Sequence, residues 1–167
     1  LDRLLVATSY ENPLVEKILK TMKYRFVKTL TDDIAKFMVR YLERRFLSGS
    51  NIDRDSTIVV PVPLHRRRLN WRGFNQAEII GSGISSYFQL NFQNVHGRNC
   101  NRIPQAQISD RQQRIANAAG TFRCLRPAPV QNKTILLIDD VATTGSTLDD
   151  CARALKSAGA KEVIGLV

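Results

Sequence analysis

The chain has 167 residues, 43% of them apolar, which is enough to bury one sizeable core as a single domain over 1–167. Twenty-five basic against 15 acidic residues give a net charge of +10. That balance fits anionic partners such as nucleotides, pyrophosphate or nucleic acid, or else a basic surface kept for solubility.

No apolar run approaches the length of a membrane span, and no signal peptide is visible. Cys100, Cys124 and Cys151 are widely spaced with no C-x-x-C between them, so no zinc site is readable and a reduced, cytoplasmic protein is expected. Cys151 reads as core packing. The chain opens on Leu1 rather than Met and closes on a strand-like run, which points to further residues at both ends.

In chain order, residues 1–10 contain a strand. After Pro13, a helix-start signal, Leu14, Val15, Ile18, Leu19 and Met22 fall at helical spacing, and residues 23–25 end that helix. Thr31 is a good N-cap for a second helix, with Asp32 and Asp33 favoured by its dipole and an apolar stripe of Ile34, Phe37, Met38, Tyr41 and Leu42. Residues 57–60 form a β-branched strand that Pro61 and Pro63 restrict to an end or edge geometry. A basic loop follows, then a helix over about 76–90. Ser109 with Gln112 has the capping-box pattern for a short helix through Ala118. Residues 120–124 read as a strand, Pro127 and Pro129 mark a turn, and Ile135, Leu136, Leu137 and Ile138 form a strand buried on both faces. A last helix carries Leu148, Cys151, Ala152 and Leu155, stops at Gly159 and feeds a final strand. This alternation predicts an α/β fold with a mainly parallel central sheet and flanking helices. Ligands in such sheets bind at the C-terminal ends of strands.

The strand at 135–138 runs into Asp139 and Asp140, then into a hydroxyl-rich turn with one glycine, then into a helical pattern. Thr143, Thr144, Gly145, Ser146 and Thr147 can offer N–H groups and hydroxyls to a phosphate at a helix start. Two ionised carboxylates repel phosphate but accept hydrogen bonds from a diol beside it. Phosphate and diol together describe a ribose 5-phosphate. There is no G-x-x-x-x-G-K-S/T, and the glycines at 81 and 83 lack a third glycine and a preceding strand.

Beyond the strand at 57–60, four arginines and a histidine lie within residues 65–72. Arginine suits polyphosphate because its planar fork makes paired, charge-assisted hydrogen bonds. If both strands end on the same side of the sheet, this loop faces the acidic pair. The competing reading is a solvated basic loop with Trp71 and Phe74 packed beneath it. His65 could serve as a general base, a phosphate donor or a capped turn residue.

Residues 135–147 resemble the phosphoribosyl-pyrophosphate (PRPP) loop of type I phosphoribosyltransferases. The resemblance assigns Asp139 and Asp140 to the ribose 2- and 3-hydroxyls, and Thr143, Thr144, Gly145, Ser146 and Thr147 to the 5-phosphate. The stretch V-P-V-P-L-H-R-R-R-L…R-G-F-N-Q-A resembles the signature of the ComF family, competence-associated phosphoribosyltransferase-like proteins. Lys23-Tyr24-Arg25 resembles its early L-K-Y segment, and Gln105, Ile108, Arg114, Asn117, Gly120 and Phe122 resemble its Q-x-x-L…R-x-x-N…G-x-F segment. The likeness covers nearly the full length.

The resemblance implies transfer of phosphoribosyl from PRPP to an acceptor, with Mg²⁺ held through PRPP and no direct protein ligand set. Lys23, His65, Arg66 and Arg67 would meet the pyrophosphate. Residues 98–117 would form a flap, with Arg102, Gln105 and Arg114 among its contacts, although an exposed basic segment explains that charge nearly as well. Two features depart from the pattern: the usual N-terminal four-cysteine zinc ribbon has no counterpart here, and Arg102 stands where a small hydroxyl residue is common. The family's link to natural transformation adds a second function class, a PRPP-sensing adaptor for single-stranded DNA or a competence helicase. Trp71, Phe74 and Tyr87 would be the stacking candidates in that case. A nucleotide-binding domain without PRPP specificity is a third class.

Overall fold

Parallel strand pairing organises the chain. The computed structural model describes residues 1–25, 28–47, 53–98 and 122–167. Its strands are β1 (Arg3–Leu5), β2 (Thr57–Pro61), β3 (Asn91–Phe92), β4 (His96–Arg98), β5 (Phe122–Cys124), β6 (Thr134–Ile138) and β7 (Glu162–Leu166). The main sheet has the order β1-β7-β6-β2-β3, and every pairing in it is parallel. Strands β4 and β5 form a separate antiparallel ribbon. The helices are α1 (Pro13–Arg25), α2 (Lys28–Leu47), α3 (Arg66–Arg72), α4 (Gln76–Phe88) and α5 (Ser146–Ser157).

β6 lies at the centre, and residues 135–138 are all buried, which is why that strand reads as an uninterrupted apolar run. Alternation divides its side chains between two layers. Leu136 and Ile138 join Val59 of β2 against Met38, Val39 and Leu42 of α2 and Ile80 and Ile84 of α4. Ile135 and Leu137 join Ile58 and Val60 against Leu148, Cys151, Ala152 and Leu155 of α5 and Phe122 of the ribbon. Each fully buried aliphatic side chain contributes roughly 1.5–3 kcal/mol, so the two layers together fix where β2 and β6 end. Cys151 is fully buried in the second layer, as the sequence suggests, and burial pushes the Cys124 thiol up.

Several expected boundaries move. α2 begins at Lys28, so Thr31 is not its cap but a fully buried residue inside it. A cap contributes only about 1 kcal/mol, less than tertiary packing of a further turn can supply. The strand at 57–60 extends to Pro61 and lies between β6 and β3, so of the two geometries expected for its prolines the strand end, not the sheet edge, is the one found. Proline is tolerated there because β3 pairs only with Ile58 and Val59 and ends before reaching it. The basic loop contains α3, and α4 ends at Phe88 because Gln89 takes a left-handed φ of 56°. The expected helix at 109–118 lies outside the described residues. Among the described residues, no helix is long and apolar enough to cross a membrane.

Candidate functional site at the strand crossover

β2 continues through α3 and α4 to β3 on one side of the sheet, while β6 continues through α5 to β7 on the other. α4 packs on one face and α5 on the opposite face. Connections that diverge in this way open a crevice at the C-terminal ends of the two strands. The register fixes what lines it. Pro61 pairs with Ile138, and the next amide, Val62 N, donates to Ile138 O at 2.8 Å. Residues 62–65 and 139–142 therefore leave the sheet side by side, as the sequence reading required.

Asp139 and Asp140 are half-buried at this end. The Asp139 amide donates to Leu166 O of β7 at 3.1 Å, and its Oδ1 accepts from the Asp140 amide at 2.8 Å. The first carboxylate is thus oriented by its neighbour's backbone. Among the described residues, no three His, Cys, Asp or Glu side chains gather to hold a metal. A divalent ion at this end would be held through a bound ligand's own oxygens rather than by a set of protein ligands.

The turn that follows opens α5. Gly145 is its N-cap at φ 72°, and that cap carries no side-chain hydrogen bond. The first backbone bond of the helix runs from Asp149 N to Gly145 O at 2.9 Å. The amides of Thr147 and Leu148 therefore precede the first i to i−4 bond, the arrangement that receives anions. Thr144 Oγ1 lies 3.0 Å from Ser146 Oγ. Thr143, Thr144, Ser146 and Thr147 are exposed, so their hydroxyls face solvent at the same turn.

On the β2 side, His65 is the N-cap of α3: its Nδ1 accepts from Arg67 N at 3.1 Å. Of the three roles open to it, capping is thus one that the geometry shows, and it puts the proton of a neutral ring on Nε2. Gly73, at φ 82°, ends the helix by donating to Leu69 O at 2.7 Å. Arg66, Arg67 and Arg68 are exposed, but consecutive helical positions turn by about 100°, so they fan out rather than converge. Trp71 is 58% exposed and does not pack beneath the basic segment, whereas Phe74 is half-buried. Lys23 lies in the last turn of α1. Arg102, Gln105 and Arg114 lie outside the described residues.

Three residues of this end escape the sequence reading. Asn75 caps α4 by accepting from Ala77 N at 3.2 Å and ties it to β2 by donating to Val62 O at 3.0 Å. Its position ahead of a helical pattern was the available signal. Gln76 is buried behind it. His96 of β4 is buried with Nε2 facing Cys151 O at 3.3 Å, and nothing local in its sequence announces that burial. A separate groove between α2 and α4, lined by Asp32, Lys36, Arg40, Glu43 and Tyr87, has mixed charge; of the candidate residues it holds the stacking candidate Tyr87, whose hydroxyl donates to Glu43 Oε1.

A phosphoribosyl transferase domain family matches residues 94–167. Competence protein F of Haemophilus influenzae is 27% identical over 165 residues, covering 97% of this chain and 70% of that protein. DNA utilization protein YhgH of Escherichia coli is 26% identical over 164 residues, covering 97% and 69%. Competence protein ComFC of Streptococcus pneumoniae is 29% identical over 127 residues, covering 76% and 54%. Among solved structures, the glutamine PRPP amidotransferase from B. subtilis superposes with a TM-score of 0.53 at 14% identity, and an allosteric regulatory enzyme of purine biosynthesis with 0.51 at 16%. Each superposition covers 81% of this chain and only 25% of the larger one. The likeness to these structures is one of fold: the sheet and its flanking helices are of the phosphoribosyltransferase type.

Proposed function

The chain belongs to the ComF family of phosphoribosyltransferase-like proteins, and from that premise we propose that it binds PRPP between β2 and β6 and transfers the phosphoribosyl group to an acceptor. The observation that carries this reading is the register of those two strands. It makes the strand that leads to the arginine-bearing helix end beside the strand that leads to the carboxylate pair and the uncapped helix start. Asp139 and Asp140 accept hydrogen bonds from the ribose hydroxyls. The turn at 143–147 takes the 5-phosphate. Arg66 and Arg67 of α3, with Lys23, lend positive charge to the pyrophosphate, His65 meets it beside them, and Arg102, Gln105 and Arg114 belong to a flap that closes over it.

In the reaction, the acceptor's lone pair forms a bond to C1 of the ribose while the bond from C1 to the pyrophosphate oxygen breaks. The electron pair leaves with pyrophosphate, and the acceptor gives up its proton. The chain's part is positioning and charge stabilisation rather than covalent chemistry. Mg²⁺ bound with PRPP supplies neutralisation of the pyrophosphate charge. The names of the relatives support a role in handling incoming DNA, and PRPP chemistry with reduced cysteines suits the cytoplasm.

A second reading, a PRPP-sensing adaptor for single-stranded DNA or a competence helicase, is favoured by one observation. Trp71 is exposed, and Arg67 and Arg68, four and three residues before it, share its helix face.

Calorimetric titration of PRPP with and without Mg²⁺ tests both readings. Binding is expected to need Mg²⁺ and to disappear in Asp139→Asn/Asp140→Asn. A pyrophosphate-release assay over a panel of bases and amines then separates the two, since turnover supports the transferase and binding without turnover supports the adaptor. A folded wild type that ignores PRPP would remove both.

A further inference from the structure

Gln76, the first residue of α4, is only 2% exposed, and its Nε2 has no hydrogen-bond partner among the described residues. Its neighbours on the same turn are matched. Asn75 bonds Val62 O, Ala77 N and Glu78 Oε1, and Glu78 Oε1 also accepts from Asn94 Nδ2 at 3.0 Å. A buried amide donor left without an acceptor is costly and uncommon, so this one calls for an explanation.

Its place in the fold supplies one. Gln76, Ile80 and Ile84 recur every four residues and form the buried stripe of α4. Ile80 and Ile84 pack on Val59, Leu136 and Ile138, so this stripe faces the sheet. Five residues beyond Gln76, α4 comes so close to the strands that a Cβ on Gly81 would lie 3.3 Å from Val59 and 3.6 Å from Ile138. Five residues earlier along the axis, at about 1.5 Å per residue, Gln76 lies roughly 7.5 Å nearer the strand ends. Side chains on a helix tilt toward its N-terminus. The carboxamide is therefore directed toward the C-terminal ends of β2 and β6, the latter being where Ile138 gives way to Asp139 and Asp140.

We infer that Gln76 is a further binding residue of this crevice, its Nε2 donating to an oxygen of the phosphoribosyl ligand held by Asp139 and Asp140. The inference rests on the PRPP reading. The unmatched donor is the group that a ligand oxygen completes on binding, and a hydrogen bond to a charged oxygen is stronger than one between neutral groups.

The test compares wild type, Gln76→Met, Gln76→Glu and Asp139→Asn/Asp140→Asn by titration with PRPP and Mg²⁺, alongside ligand-free thermal unfolding. Methionine keeps the length and loses the donor. Its ligand-free Tm is expected to be unchanged or higher, because an apolar isostere removes an unmatched buried amide. Its PRPP affinity should fall roughly ten- to hundred-fold. Glutamate sets a carboxylate toward an anionic ligand and should bind more weakly still; if the methionine variant does not fold, this variant decides. A lowered Tm with unchanged PRPP affinity would make Gln76 structural and overturn the inference. So would wild-type affinity in both Gln76 variants while the double asparagine variant loses binding, an outcome that leaves the PRPP site standing. No binding by the wild type overturns both.

Discussion

The amide of Val62 donates to the carbonyl of Ile138 across 2.8 Å, one residue beyond the last paired position of β2 and β6. Past this bond the two chains part, Val62 toward the arginines of α3 and Ile138 toward the acidic pair. Asn75 Nδ2 binds the carbonyl of that same Val62 at 3.0 Å. Both functional segments and the start of α4 are thus anchored at one residue. A site assembled from strand ends in this way inherits the rigidity of a core in which Val59, Val60, Leu137 and Ile138 are all 0% exposed.

Gly145→Ala should separate backbone conformation from packing at the phosphate turn. A Cβ there would meet nothing within 4 Å, but φ is 72°. The cost is therefore the left-handed conformation alone, about 1 kcal/mol. Urea unfolding should show a loss of that size, and PRPP affinity should fall because the amides of Ser146 and Thr147 depend on this turn for their direction. Wild-type stability in the variant would mean that the turn relaxes out of this conformation without penalty.

The first of these segments was plain in the sequence and the second only partly so. Residues 135–147 carry both their secondary structure and their chemistry locally: an apolar strand, two carboxylates, and a glycine opening a helix. The basic segment carries its charge locally, but its helix depends on His65 bonding Arg67 N and on Gly73 at positive φ. Neither shows as an apolar period. Thr31 misled because a cap residue looks the same in sequence whether it starts a helix or is buried in one. Gln76 and His96 were silent because burial of a polar side chain is a tertiary property. β3, with two residues, is too short to show any alternation.

Burial holds the pKa of His96 below its ordinary 6.5, with the carbonyls of Cys151 and Pro61 pulling the other way. A histidine whose folded pKa is depressed is neutral in the native state and binds its proton more readily when unfolded. The contribution of the neutral ring is fully present above about pH 6.5 and is lost as pH falls from that value toward the folded pKa. The slope is at most about 1.4 kcal/mol per pH unit. Stability measured by urea unfolding should therefore decline on acidification from pH 7 to pH 5, and His96→Phe should flatten that part of the profile. An unchanged profile in the variant would assign the acid sensitivity to other groups.

Trp71 is the only tryptophan in the chain, so tryptophan emission excited at the red edge, where the four tyrosines do not absorb, reports on α3 alone. The indole is 58% exposed, with Arg67 and Arg68 on the same helix face. An exposed aromatic ring with two arginines on its helix face is suited to stack on a base while the cations meet the flanking phosphates. A short oligothymidylate should quench the emission, and raising the salt should weaken that binding. Trp71→Ala removes little buried surface, so its stability should stay within about 0.5 kcal/mol of wild type. Its oligonucleotide affinity should fall by about 1–3 kcal/mol. If PRPP binding survives in this variant while oligonucleotide binding is lost, α3 serves two ligands with different side chains: arginines for pyrophosphate and the indole for bases. If oligonucleotide binding is indifferent to Trp71, the exposed indole is not a stacking platform and the adaptor reading loses the observation that favours it.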